Sequence, residues 1–146
     1  MQGFKFRLQR VLQWQVKVCH IQEEGARLCR LAVAEQEERI AQLRAESLVV
    51  EQELLGHHAI AASDLVAVAR YRNRVVSRGR DLEAARQSVV AALEEQMRTL
   101  VAARRQLQRI ETLRDRSLFE HNLVVNRELE ALALESHLSR RVSSAG

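Results

Sequence analysis

Proline is absent from this chain of 146 residues, and glycine occurs only five times. Both residues interrupt helices, so their scarcity leaves long stretches in which nothing stops one. Aromatic residues make up only 3% of the sequence, which argues against the thick core of a rounded globule and for a thin seam between helices. Lysine appears only at Lys5 and Lys17, so the net charge of +4 comes almost entirely from arginine. That modest excess, with acidic residues interspersed throughout, speaks against a nucleic-acid-binding surface. There are two cysteines, Cys19 and Cys29. On one helix they would stand about 15 Å apart along the axis, out of reach of a mutual disulfide, and they read as small seam residues. Apolar runs of about 18 residues are also missing, and Met1–Arg10 has no apolar stretch of signal-peptide length. The expectation is a cytoplasmic protein without a transmembrane segment, free to dock at a membrane machine.

What is abundant is helix-forming Ala, Leu, Glu, Gln and Arg, arranged with a heptad period. The first ladder alternates steps of four and three through Leu8, Leu12, Gln15, Cys19, Gln22, Ala26, Cys29, Val33, Gln36, Ile40, Leu43, Ser47, Val50 and Leu54. It predicts one helix over about 4–55, with Gln15, Gln22, Gln36 and Ser47 as polar interruptions that fix register. Beside it Val11, Trp14, Val18, Ile21 and Leu28 form a second apolar stripe, wider than one partner helix would cover. Leu55-Gly56-His57-His58 reads as a helix stop, and Ser63 with Asp64 as the cap of a new start. The break is therefore expected at about 56–63.

The second helix is predicted over about 64–140, with either a kink near Gly79 or a short separate helix before it, and a frayed tail at 141–146. Its seam reads Leu82, Val89, Leu93, Leu100, Ala103, Leu107 and Ile110, then slips to Leu113, Leu118, Val125, Leu129 and Leu132. Two long helices around one short break fold most simply as an all-α, two-helix antiparallel coiled-coil hairpin forming a single domain. A parallel homodimer with a glycine defect is the alternative.

No phosphate-binding glycine loop, metal-protease motif, Cys-x-x-Cys or nucleophile elbow occurs, so no enzyme, no metal and no cofactor is expected. Adjacent His57 and His58 would point about 100° apart on a helix, a poor metal pair. His20, His121 and His137 have no ligand spacing. One charge pattern stands out: Arg98, Arg105, Arg109 and Arg116 lie within about 20° of the pole opposite the seam, a row suited to an acidic or carbonyl-rich groove, although such a row is also what a solvated outer face looks like.

The opening FKFRLQRVLQWQVKV and the later ARRQLQRIETLRDRSLFEHNLVVNRELEALA together resemble the stalk proteins of flagellar type III export, the FliJ family. That pattern has a phenylalanine, basic residues around leucine, a following aromatic, and a basic C-terminal helix. The resemblance covers nearly the whole chain. It implies an antiparallel coiled coil that binds the hexameric export ATPase, binds the export-gate membrane protein, and helps recycle substrate chaperones. It would place the protein peripherally at the cytoplasmic face of the inner membrane. ATPase contact would fall on Val11, Trp14, Val18 and Ile21 and on Arg98, Arg105, Arg109 and Arg116. Gate contact would fall on Tyr71 and Val75, with Arg44 and Leu48 where the family often has aromatics, and Ala131 follows Glu130 where a second acid is common. The equivalent stalk of a virulence-type secretion system and a purely structural coiled-coil homodimer are the alternatives.

Overall fold

The computed structural model describes residues 3–56, 59 and 61–145, and the histidine pair His57-His58 lies outside them. The chain is an all-α helical hairpin of two helices, α1 (Gln9–Leu55, 47 residues) and α2 (Ala62–Ser144, 83 residues). It divides into two compact units. One, here the turn unit, comprises Ile21–Val101; the other, the terminal unit, comprises Met1–His20 with Ala102–Gly146.

In the turn unit the two helices run antiparallel. Cross-helix bonds pair falling numbers on α2 with rising numbers on α1: Gln96 Nε2 donates to Gln22 Oε1 at 2.7 Å, Arg86 reaches Glu37 at 3.4 Å, and Arg72 reaches Glu51 at 3.0 Å. Ala26, Val68 and Leu100 are buried, and the remaining ladder positions are half-buried. This is the geometry expected of a thin seam, in which each side chain meets one facing helix rather than a surrounding core.

Helix α1 ends at Leu55, and the Gly56 amide closes the last turn on Gln52 O at 2.9 Å. Helix α2 starts at Ala62 rather than at 64, and Ser63 is not its cap. Instead Asp64 reaches back from inside the first turn, its Oδ2 accepting from the Ala61 amide at 3.1 Å. That is the carboxylate half of a capping box, and the negative charge also suits the helix N-terminus. The helix runs without interruption through Gly79, so no separate short helix forms before it. It also continues to Ser144, beyond the expected end at 140. Ser139, Ser143 and Ser144 each donate a hydroxyl to the carbonyl three residues back, at 3.0–3.1 Å, giving carbonyls of the last turns an additional donor.

In the terminal unit Leu12, Gln15, Cys19 and Ala103 are buried. Gln15 Nε2 donates to Ala103 O at 3.0 Å, so this buried polar side chain is satisfied across the seam. The expected start of the first helix near residue 4 is not what forms. Residues 3–6 are non-helical, a turn at Arg7 and Leu8 follows, and the Gln9 amide bonds Phe6 O at 3.1 Å. Phe4, Phe6 and Leu8 are half-buried while Gly3, Lys5 and Arg7 are exposed. A helix would have turned Phe4 and Phe6 about 200° apart; an alternating run puts both on one face. The Phe4 ring lies 5.5 Å from that of His121, tilted by 52°.

This strap has a consequence for the seam of α2. The expected slip to Leu113, Leu118, Leu129 and Leu132 does not occur: these four leucines are exposed, and of that set only Val125 is half-buried. The half-buried positions continue the original alternation of four and three as Ile110, Arg114, Ser117 and His121, and Val125 follows by a second step of four. What faces α2 decides the register, and the Phe4 ring meets an aromatic at His121, where the heptad places it. From residue 126 to 145 every described position is exposed.

Candidate functional site

Three surfaces carry the residues expected to make contacts. On α1 in the terminal unit, Val11 and Trp14 are exposed, Trp14 by 62%, whereas Val18 is half-buried. Ile21, at the start of the turn unit, is 66% exposed. The stripe lies roughly 115° around the helix from the seam, far enough for one partner helix to leave it uncovered. A tryptophan with most of its surface in water is the largest apolar side chain available here for a partner.

The second surface is the arginine row. Arg98, Arg105, Arg109 and Arg116 are all exposed on α2, as the wheel placed them. They are not equivalent. Arg98, in the turn unit, pairs with Glu95 at 3.2 Å. Arg105, Arg109 and Arg116, in the terminal unit, make no ion pair among the described residues, and Arg105 and Arg109 flank a shallow depression with Gln108, Thr112 and Leu113. A guanidinium without an intramolecular acid keeps its planar donor fork free for an incoming carboxylate.

The third surface is a groove of about 580 Å³ within the turn unit. Tyr71 and Val75 are half-buried in it together with Leu43 and Leu82, and Arg39, Gln42, Glu46, Arg74 and Arg78 line its sides. The seam beside it carries a glycine. Gly79 occupies a half-buried seam position between Val75 and Leu82, and the nearest atom that a Cβ there would meet is Leu43 Cδ2 at 3.9 Å. Arg44 and Leu48 are exposed and lie outside the groove, whose α1 wall is Arg39, Gln42, Leu43 and Glu46. Two signals in the sequence pointed to this wall: a glycine in heptad register, and the spacing Arg70, Arg74, Arg78.

Some of the other exposed charge is paired along the helices. Arg27 donates Nε to both Glu24 oxygens at 3.0–3.1 Å, and these bonds hold the Glu24 carboxyl below its ordinary range and the guanidinium above its own. Arg39 pairs with Glu35 and Arg86 with Glu83 in the same manner. Cys19 is buried and Cys29 half-buried, and the two form no disulfide. Among the described residues no three His, Cys, Asp or Glu side chains gather where they could hold a metal ion. No described helix is long and apolar enough to cross a membrane. Comparison with protein-family models, with curated proteins and with solved structures finds no match to this chain.

Proposed function

We propose that this chain is a non-enzymatic stalk and escort of the flagellar type III protein export apparatus. In this reading it works in the cytoplasm at the inner face of the inner membrane, binds the hexameric export ATPase and the export-gate membrane protein, and assists the recycling of substrate chaperones. The observation that carries the reading is the set of Arg105, Arg109 and Arg116: three outward, ion-pair-free guanidinium groups on one helix of an antiparallel pair. The neighbouring exposed Val11 and Trp14 supply apolar contact on α1. The resemblance of FKFRLQRVLQWQVKV to the family's opening supports the same assignment.

The test uses the full chain carrying Arg105→Glu, Arg109→Glu and Arg116→Glu. These side chains lie away from the seam, so helicity by circular dichroism should be unchanged; surface substitutions usually alter stability by no more than about 0.5 kcal/mol each. Stimulation of the purified export ATPase should be lost, because like charge set against an acidic surface costs several kcal/mol (on the order of 3), enough to abolish a transient complex. Wild-type stimulation should also fall with added salt. Full stimulation by the folded triple variant would remove the arginine row from the ATPase contact.

A further inference from the structure

Arg70, Arg74 and Arg78, like Arg44 and Arg80, lack the ion pair that several arginines of the turn unit form, and they share one flank of α2. Arg27, Arg39, Arg86 and Arg98 each have an acid three or four residues earlier and are paired with it. Arg70, Arg74 and Arg78 have Val66 and Ala67, Arg70 and Tyr71, and Arg74 and Val75 at those positions. All three are exposed, and none makes an ion pair among the described residues. They stand at i, i+4 and i+8, so each projects about 6 Å further along the same flank of α2. Like charges at this spacing destabilise a helix, and nothing within it offsets them.

The row borders the groove described above. Arg74 and Arg78 form its α2 edge, Leu43, Tyr71, Val75 and Leu82 its apolar floor, and the far side carries Arg39, already paired with Glu35. Glu46 is the one carboxylate lining it. The Tyr71 hydroxyl has no hydrogen-bond partner among the described residues, leaving a polar handle at the rim of an apolar floor.

We infer that this groove takes an acidic peptide segment with an aliphatic anchor. The anchor lies on the apolar floor of Leu43, Tyr71, Val75 and Leu82, and the carboxylates of the segment meet Arg70, Arg74 and Arg78. Charge complementarity selects this occupant. An uncharged apolar helix would leave three stacked guanidinium groups without counterions, while a bare polyanion would leave Tyr71, Val75 and Leu82 wet. The inference deepens the export-gate reading of Tyr71 and Val75 and rests on it for the choice of contact surface, adding the chemistry of the partner.

The probe is a fluorescent peptide of about four helical turns with leucine on one face and glutamate elsewhere. Its anisotropy is followed with the full chain and compared with a glutamine-for-glutamate twin, a single-stranded oligonucleotide and vesicles containing phosphatidylglycerol. The acidic peptide should bind saturably. Its affinity should fall about tenfold or more with Arg74→Glu and Arg78→Glu together and with Tyr71→Ala, and should weaken as salt is raised. Arg105→Glu should leave it unchanged. Thermal midpoints of the arginine variants should match wild type, separating loss of binding from loss of fold. Equal binding of the glutamine twin, indifference to the arginine pair, or tighter arginine-dependent binding of the oligonucleotide or vesicle each overturns the inference, as does the absence of saturable peptide binding. Binding of the purified cytoplasmic part of the export gate is measured in parallel. A peptide that binds beside a gate that does not would sink the gate reading alone; a gate that binds without the arginine pair would sink this inference alone.

Discussion

Leu100 and Leu132 are the same residue on the same helix, yet Leu100 is 1% exposed and Leu132 is 57% exposed. Neither helix propensity nor local sequence distinguishes them, since both sit in stretches rich in Ala, Leu and Glu. The difference is what stands opposite. In the turn unit α2 faces α1, whereas in the terminal unit the described residues after Val125 are all exposed. In a two-helix fold a leucine stabilises only in proportion to the facing side chains it meets, because there is no second layer to cover it.

The sharpest test of that contrast is Leu100→Ala. Removing a side chain buried to this extent costs about 2–4 kcal/mol through lost transfer energy and a residual cavity. Urea unfolding followed by circular dichroism should register it, and a loss below about 1 kcal/mol would mean that the seam is not what holds the helices together.

Two glycines refine the comparison at smaller scale. A Cβ at Gly79 would make an ordinary van der Waals contact with Leu43 Cδ2 at 3.9 Å, so Gly79→Ala should stabilise the chain by up to about 1 kcal/mol, chiefly through helix propensity. At Gly25 a Cβ would approach Gln96 Nε2 to 2.7 Å. That amide is held by Gln22 Oε1 at 2.7 Å and Gln22 O at 3.2 Å. Displacing it forfeits bonds worth about 0.5–1.5 kcal/mol each, so Gly25→Ala should give no net gain or a loss. Equal stabilisation by both substitutions in urea unfolding would show that Gln96 does not constrain this register.

The smallest effect is expected at Leu132→Ala, a change within about 0.5 kcal/mol, as for exposed positions generally. If instead it destabilised as much as Leu100→Ala, and did so only at high protein concentration, a second copy would be covering this face. Sedimentation at several concentrations reads that outcome directly.

Much of this arrangement was legible in the amino-acid order. Every position of the ladder from Leu8 to Leu54 is buried or half-buried, as is every seam residue from Leu82 to Ile110. A heptad repeat specifies which side of a helix is covered, and it needs no tertiary information to do so. Beyond Ile110 the same reasoning failed, because it followed leucines. The covered residues there are Arg114, Ser117, His121 and Val125, of which only Val125 was expected, and a long arginine stem can shield a seam as an apolar side chain does. The strap was misread for a related cause: Phe4, Phe6 and Leu8 alternate with a period of two, but they adjoin a long heptad run that drew them into its helix. Tyr71 and Val75, singled out by the family resemblance as a contact surface, line the groove, whereas the spacing of Arg70, Arg74 and Arg78 gained meaning only once their lack of partners could be seen. Pairing is a property of space, and spacing along the chain suggests it without deciding it.

The antiparallel pairing also orders the events of folding. Cross-helix contacts link residues ever further apart along the chain: 21 for Glu51 with Arg72, 49 for Glu37 with Arg86, 74 for Gln22 with Gln96, and 88 for Gln15 with Ala103. The entropy of closing a loop grows with its length, so the pair nearest Gly56 closes most readily, and each later contact then closes only a short additional segment. Folding should proceed as a zipper from the interhelical connection outward. Removing the Glu51–Arg72 contact should slow folding, whereas removing the Gln15–Ala103 bond should mainly speed unfolding. A protein whose helices pair in this way thus carries, in its contact separations, the order in which those contacts are made.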